Sequence, residues 1–170
     1  MKVYDSSRAA GQTQPSQRHA VGVAEYHVAS DGSVLTTSGL GSCVGVAIYD
    51  EPDGVGGLLH AMLPSAEDRT NGTPAKFVDS GIETMLAELA AEGAAEDELG
   101  AKIAGGSDML DFSGDSIGSR NVEAARETLE GLDVPILAED AGGDQGRSLR
   151  FSLEEGILEV KSATDDPIRL

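Results

Sequence analysis

Apolar and polar positions change rhythm several times along this chain, and each change marks an element. Residues 21–29, VGVAEYHVA, alternate as a half-buried strand does and put Tyr26 and His27 on opposite faces. SDGS at 30–33 predicts a turn, and VLTT at 34–37 a second short strand. A glycine-rich turn, Gly39-Leu40-Gly41-Ser42-Cys43, leads into VGVAIYD at 44–50, a β-branched and apolar run that predicts a buried strand. VGGLLHAML at 55–63 predicts another, stopped by Pro64, and the polar residues 65–73 predict a loop. From Pro74 the period becomes helical, with Val78, Ile82, Met85, Leu86 and Leu89 at three- and four-residue spacing and Gly93 as the stop.

AKIAGG at 101–106 predicts a short strand ending in glycines. A loop through FSGDSIGSR leads to a second helix, from about Asn121 to Leu132, with Val122, Ala125, Leu129 and Leu132 on one face. Strands are predicted at 134–140, 148–153 and 156–162, the last two as a hairpin around Glu154-Glu155-Gly156. Four strands precede the first helix, so the sheet cannot be purely parallel. The pattern predicts an α/β or α+β layered sandwich, with a mixed, largely antiparallel sheet and two main helices. Residues 1–20 are small, polar and aperiodic and predict a flexible extension. The folded domain is expected over 21–162, with 163–170 as a tail.

Charge narrows the function. With 30 Asp and Glu against 12 Lys and Arg the chain carries a formal charge of −18, which argues against nucleic acid as a partner. The acidity is spread along the chain and lysine is confined to Lys2, Lys76, Lys102 and Lys161, a balance that suits a salt-rich environment. No apolar run reaches the roughly 20 residues of a membrane span, and the N-terminus lacks a signal-peptide core, so a cytoplasmic protein without membrane insertion is expected. One cysteine excludes an internal disulfide, and three histidines make a poor zinc cluster; neither metal nor cofactor is expected.

That cysteine, Cys43, carries the most pointed chemistry. It follows a turn whose backbone can leave strand geometry, expose the sulfur and gather N–H groups for a developing oxyanion, with Gly41 and Ser42 as the turn donors. A thiol nucleophile needs a base, and His60 lies in the next strand. If the two strands pair as a hairpin, the start of one lies near the end of the other, and Thr37 ends the strand before the turn. Each residue also has a plain alternative: a small core cysteine, a satisfied core histidine, a routine strand-end threonine. Spacing alone leaves both readings open. Arg120 and Asn121 open the second helix, where capping stands against a substrate or partner contact.

TSGLGSCVGVAIYD followed by GGLLHAMLP resembles the signature of the chemoreceptor glutamine deamidase family, CheD. PAKFVDSGIETML, AKIAGGSDML, IGSRN and LAEDAGGDQGRS follow in the family's order, so the resemblance runs from about residue 21 to residue 161. It implies a layered α/β fold and a Cys-His-Thr site on Cys43, His60 and Thr37. It also implies hydrolysis of glutamine carboxamides on the cytoplasmic helices of methyl-accepting chemoreceptors. A second role is implied as well: pairing with, and stimulation of, a CheC-type phosphatase of the phosphorylated response regulator, which requires no catalysis by this chain.

Overall fold

In the computed structural model, residues 17–66, 72–108 and 116–170 are described. The strands are β1 (Arg18–Ala20), β2 (Glu25–Ala29), β3 (Val34–Leu40), β4 (Val44–Asp50) and β5 (Val55–Ala61), then β6 (Leu99–Gly105), β7 (Ile136–Ala141), β8 (Arg147–Ser152), β9 (Ile157–Ser162) and β10 (Ile168–Arg169). Helix α1 (Val78–Ala91) lies between β5 and β6, and α2 (Ile117–Gly131) between β6 and β7.

The strands form two five-stranded sheets, ordered β1-β3-β8-β9-β10 and β2-β5-β4-β6-β7. Pairing is antiparallel except for β1 with β3 and β6 with β7, so the expected mixed, largely antiparallel α/β sandwich is present, divided between two sheets. Every residue of β4, β5 and β6 is buried, because the second sheet is covered on both faces. One face packs Val44, Val46, Ile48, Leu59 and Ile103 against Ile82, Met85 and Leu89 of α1 and Val122, Ala125 and Leu129 of α2. The other sets Ala47, Tyr49, Leu58 and Ala104 against Leu35, Leu149, Phe151 and Leu158 of the first sheet. Each large apolar side chain so buried stabilises the fold by about 1.5–3 kcal/mol. This double covering is why β4 and β5 read as unbroken apolar runs, while β8, open to solvent on one side, alternates.

Several boundaries differ from expectation: β2 begins at Glu25 and not at Val21, and β3 runs past Thr37 to Leu40, through the first residues of the expected turn. Helix α2 begins at Ile117, four residues before Asn121, because Ser116 caps it: its hydroxyl accepts from the Ser119 N–H at 3.1 Å and donates to Asp108. The predicted flexible extension is ordered at its end, where Arg18–Ala20 pair with β3 and His19 stacks on His27 with centroids 4.2 Å apart; the expectation for residues 1–16 lies outside the described residues. The predicted tail joins the first sheet through β10, and Lys102 Nζ, nearly buried, donates to the oxygens of Gly156 and Leu170, 2.8 Å from each. Among the described residues no helix is long and apolar enough to cross a membrane.

Candidate active site

The β4–β5 hairpin sets His60 opposite Gly45. Side chains alternate along a strand, so Cys43, two residues before Gly45, lies on the His60 face one step along the diagonal, where Cα atoms are about 7–8 Å apart. This is the face that looks at the first sheet, and Cys43 packs against the cluster between the sheets. Gly45 lets the first sheet close onto this face: a Cβ there would sit 2.4 Å from Leu149 Cδ1 and 3.4 Å from Leu40 Cδ1.

Thr37 approaches from β3. Its Oγ1 lies 2.7 Å from His60 Nδ1 and 2.7 Å from the Val21 carbonyl. A carbonyl only accepts, so the single hydroxyl proton of Thr37 goes to Val21, and Oγ1 must accept from His60. The proton of the neutral imidazole is therefore on Nδ1, and Nε2 keeps its lone pair. That atom is buried and has no hydrogen-bond partner among the described residues. His60 is 0% exposed and Thr37 6%, and this desolvation pushes the His60 pKa below its ordinary value of 6.5. The ring is thus neutral at neutral pH and its free nitrogen is a base.

Cys43 is half-buried, and burial pushes its thiol pKa up, its own N–H pulling weakly the other way. The thiol therefore holds its proton at rest, and no hydrogen bond joins it to His60 in this structure. A neutral thiol beside a neutral imidazole is a pair for general-base activation at the moment of attack, and differs from a standing ion pair.

The end of β6 holds the Cys43 turn. The Gly106 N–H donates to the Cys43 carbonyl and the Ser107 N–H to the Gly41 carbonyl, both at 2.8 Å. Gly105 is required for this approach: at φ 111° a Cβ would lie 2.6 Å from the Cys43 oxygen. Of the predicted turn donors, the Gly41 N–H is already committed to Gly39 O at 3.1 Å, so Gly41 is corrected to a shaping role; the N–H groups of Ser42 and Cys43 donate to no acceptor among the described residues.

Asn121 also differs from expectation. Lying in the second turn of α2, it neither caps the helix nor reaches the surface: it is 0% exposed and donates from Nδ2 to the carbonyls of Ser42 at 2.8 Å and Met62 at 3.0 Å. Arg120 beside it is exposed. Two participants escaped the sequence reading. Val21 acts through its main chain, which has no sequence signature. Ser107 was legible only as the residue after two glycines.

Comparison with known proteins gives the family. The family described as CheD chemotactic sensory transduction matches residues 62–162. Over its whole length, and all of the other's, the chain is 52% identical to a Haloarcula marismortui protein named "Probable chemoreceptor glutamine deamidase CheD". The chain belongs to the CheD family. A family member of the same name from Natronomonas pharaonis is 44% identical over 91% of this chain and 93% of its own. A third, "Probable chemoreceptor glutamine deamidase CheD 1" of Methanosarcina acetivorans, is 43% identical over 84% and 90%. Among solved structures, "Crystal structure of Bacillus licheniformis hypothetical protein YfiH" is similar with a TM-score of 0.47 and 13% identity, covering 79% of this chain and 63% of that one; so slight a likeness carries no argument.

Proposed function

We propose that this chain is a protein-glutamine deamidase of chemoreceptor cytoplasmic helices, with Cys43 as nucleophile, His60 as base and Thr37 as the residue that orients the base. The observation that carries the reading is the Thr37 hydroxyl held between His60 Nδ1 and the Val21 carbonyl, which leaves Nε2 without a partner among the described residues, on a histidine that the register sets one diagonal step from Cys43. Family membership supplies the substrate class.

The chemistry follows from these roles. His60 Nε2 takes the Cys43 proton as sulfur attacks the carboxamide carbon of a glutamine. The oxyanion is received by the N–H groups of Ser42 and Cys43. The imidazolium returns its proton to the leaving nitrogen and ammonia departs, leaving a thioester. Water, deprotonated by His60, attacks the thioester, and glutamate and the free thiol are released. Thr37 keeps Nδ1 protonated throughout. A hydroxyl stabilises imidazolium less than a carboxylate would, so turnover is expected to be modest. Receptor glutamyl esters suit the same thiol chemistry.

Intact-mass analysis of a receptor cytoplasmic fragment tests the reading, since each conversion of NH₂ to OH adds about one mass unit. Wild-type chain should produce the gain and Cys43→Ala should not; deamidation surviving in Cys43→Ala removes the proposal. Pairing with a CheC-type phosphatase rests on the family resemblance, and binding retained by Cys43→Ala would put both roles in one chain.

A further inference from the structure

We infer that Asn121 is a positioning residue that sets the oxyanion donor of the site; the inference rests on the thiol-deamidase reading above. The two groups it meets, Ser42 O and Met62 O, are both carbonyls, so only the amide nitrogen can face them, and the Asn121 Oδ1 is left buried with no partner among the described residues. An unsatisfied buried acceptor is a standing cost, and a side chain serving stability alone would be better replaced by an apolar one with the backbone satisfied elsewhere. What the bond achieves is orientation. The Ser42–Cys43 peptide is planar and trans, so its C=O and its N–H point in opposite directions. Holding the Ser42 oxygen fixes the direction of the Cys43 N–H at the opposite edge of that plane.

The neighbouring strand keeps that N–H free. Val44 pairs with Gly105, so continuing the antiparallel ladder would pair Cys43 with Gly106 through two reciprocal bonds. Only one forms, from the Gly106 N–H to the Cys43 carbonyl. Gly106 has φ 66°, and a Cβ on Gly118, in the first turn of α2, would lie 2.7 Å from the Gly106 oxygen. The left-handed turn thus carries that carbonyl to α2 and away from Cys43. Helix α2 both withdraws the competing acceptor and, through Asn121, anchors the peptide that bears the donor.

An oxyanion donor matters to attack on a carboxamide and is irrelevant to attack on a saturated carbon. Asn121→Leu should therefore lower kcat for deamidation of a purified receptor cytoplasmic fragment by about 10–100-fold, somewhat less than deletion of a whole donor. KM and the rate at which iodoacetamide alkylates Cys43 should stay within about twofold; Cys43 is the chain's only cysteine, so the label reports it alone. Asn121→His, which restores one N–H at similar reach, should recover part of kcat, and serves in place of the leucine variant if that one does not fold. Deamidation and alkylation falling together would show that Asn121 only supports the fold around the thiol, and an unchanged kcat would also overturn the inference. Deamidation surviving in Cys43→Ala would instead overturn the thiol reading beneath it.

Discussion

Cys43, directly before β4, and His60 of β5 belong to one sheet, whereas Thr37 lies on β3 of the other and Val21 directly follows its edge strand β1. The first pair is placed by a hairpin: once Gly45 pairs with His60, the relation between sulfur and imidazole is settled within 18 residues of chain. The second pair is placed by packing. Thr37 meets His60 only because Leu35, Leu149 and Phe151 seat the first sheet on Ala47 and Leu58 of the second. The proposed nucleophile and base thus lie with the sheet covered on both faces, and the hydroxyl that selects the His60 tautomer lies on the sheet with one face in solvent. The register of the hairpin decides whether there is a site, and the contact between sheets decides how its base is protonated.

Substitutions on the two sheets should therefore have unequal effects. His60→Gln removes the base and should lower receptor deamidation by at least about 10³-fold in an ammonia-release assay. Thr37→Val should cost less, about 10–100-fold in kcat with little change in KM, and Thr37→Ser should restore most of it. Equal losses at His60 and Thr37 would break the comparison.

Gly45→Ala tests the seam itself. The added carbon would sit 2.4 Å from Leu149 Cδ1, so overpacking of about 1–3 kcal/mol should appear as a lower urea midpoint. A fold as stable as the wild type would mean the sheets are looser than their contacts imply.

The smallest effects are those of pH. Because burial depresses the His60 pKa, the acid limb of kcat should lie below the ordinary histidine value of 6.5. Thr37→Val, which removes the acceptor for Nδ1–H, should move that limb lower still. Stability should follow the same groups. Below pH 6.5 the unfolded chain binds a proton on His60 that the folded one resists, so stability is lost as pH falls from there toward the folded pKa. Cys43, with its pKa raised from 9.0, acts in reverse: the unfolded thiol ionises first, and stability is lost as pH rises above 9. Chemical denaturation at several pH values measures both, and Cys43→Ser should flatten the alkaline loss.

Much of the fold was legible in residue pattern. The run Val44–Asp50 was bounded correctly at both ends because it is apolar throughout, and the hairpin around Glu154-Glu155-Gly156 followed from its turn, whereas the pairing of 44–50 with 55–63 stood only as a condition. The start of α2 was missed because Ile117 and Gly118 follow a polar, glycine-containing stretch, and the capping Ser116 stands among other serines. Strands β1 and β10 are too short to carry a period, and only partners distant in sequence make them strands.

For the site, residue order showed the chemistry on offer: one thiol after a glycine-rich turn, and one histidine in the following strand. Residue type and local register suffice for that. Only the tertiary structure decided that the strands divide into two sheets, that Thr37 donates to Val21 and accepts from His60, that the Gly41 N–H is already taken, and that Asn121 lies buried against the Cys43 turn. Apart from the local Gly41–Gly39 bond, each of these depends on hydrogen bonds between groups distant in the chain, several of them main-chain atoms. Every residue carries such atoms, and packing alone selects which of them meet.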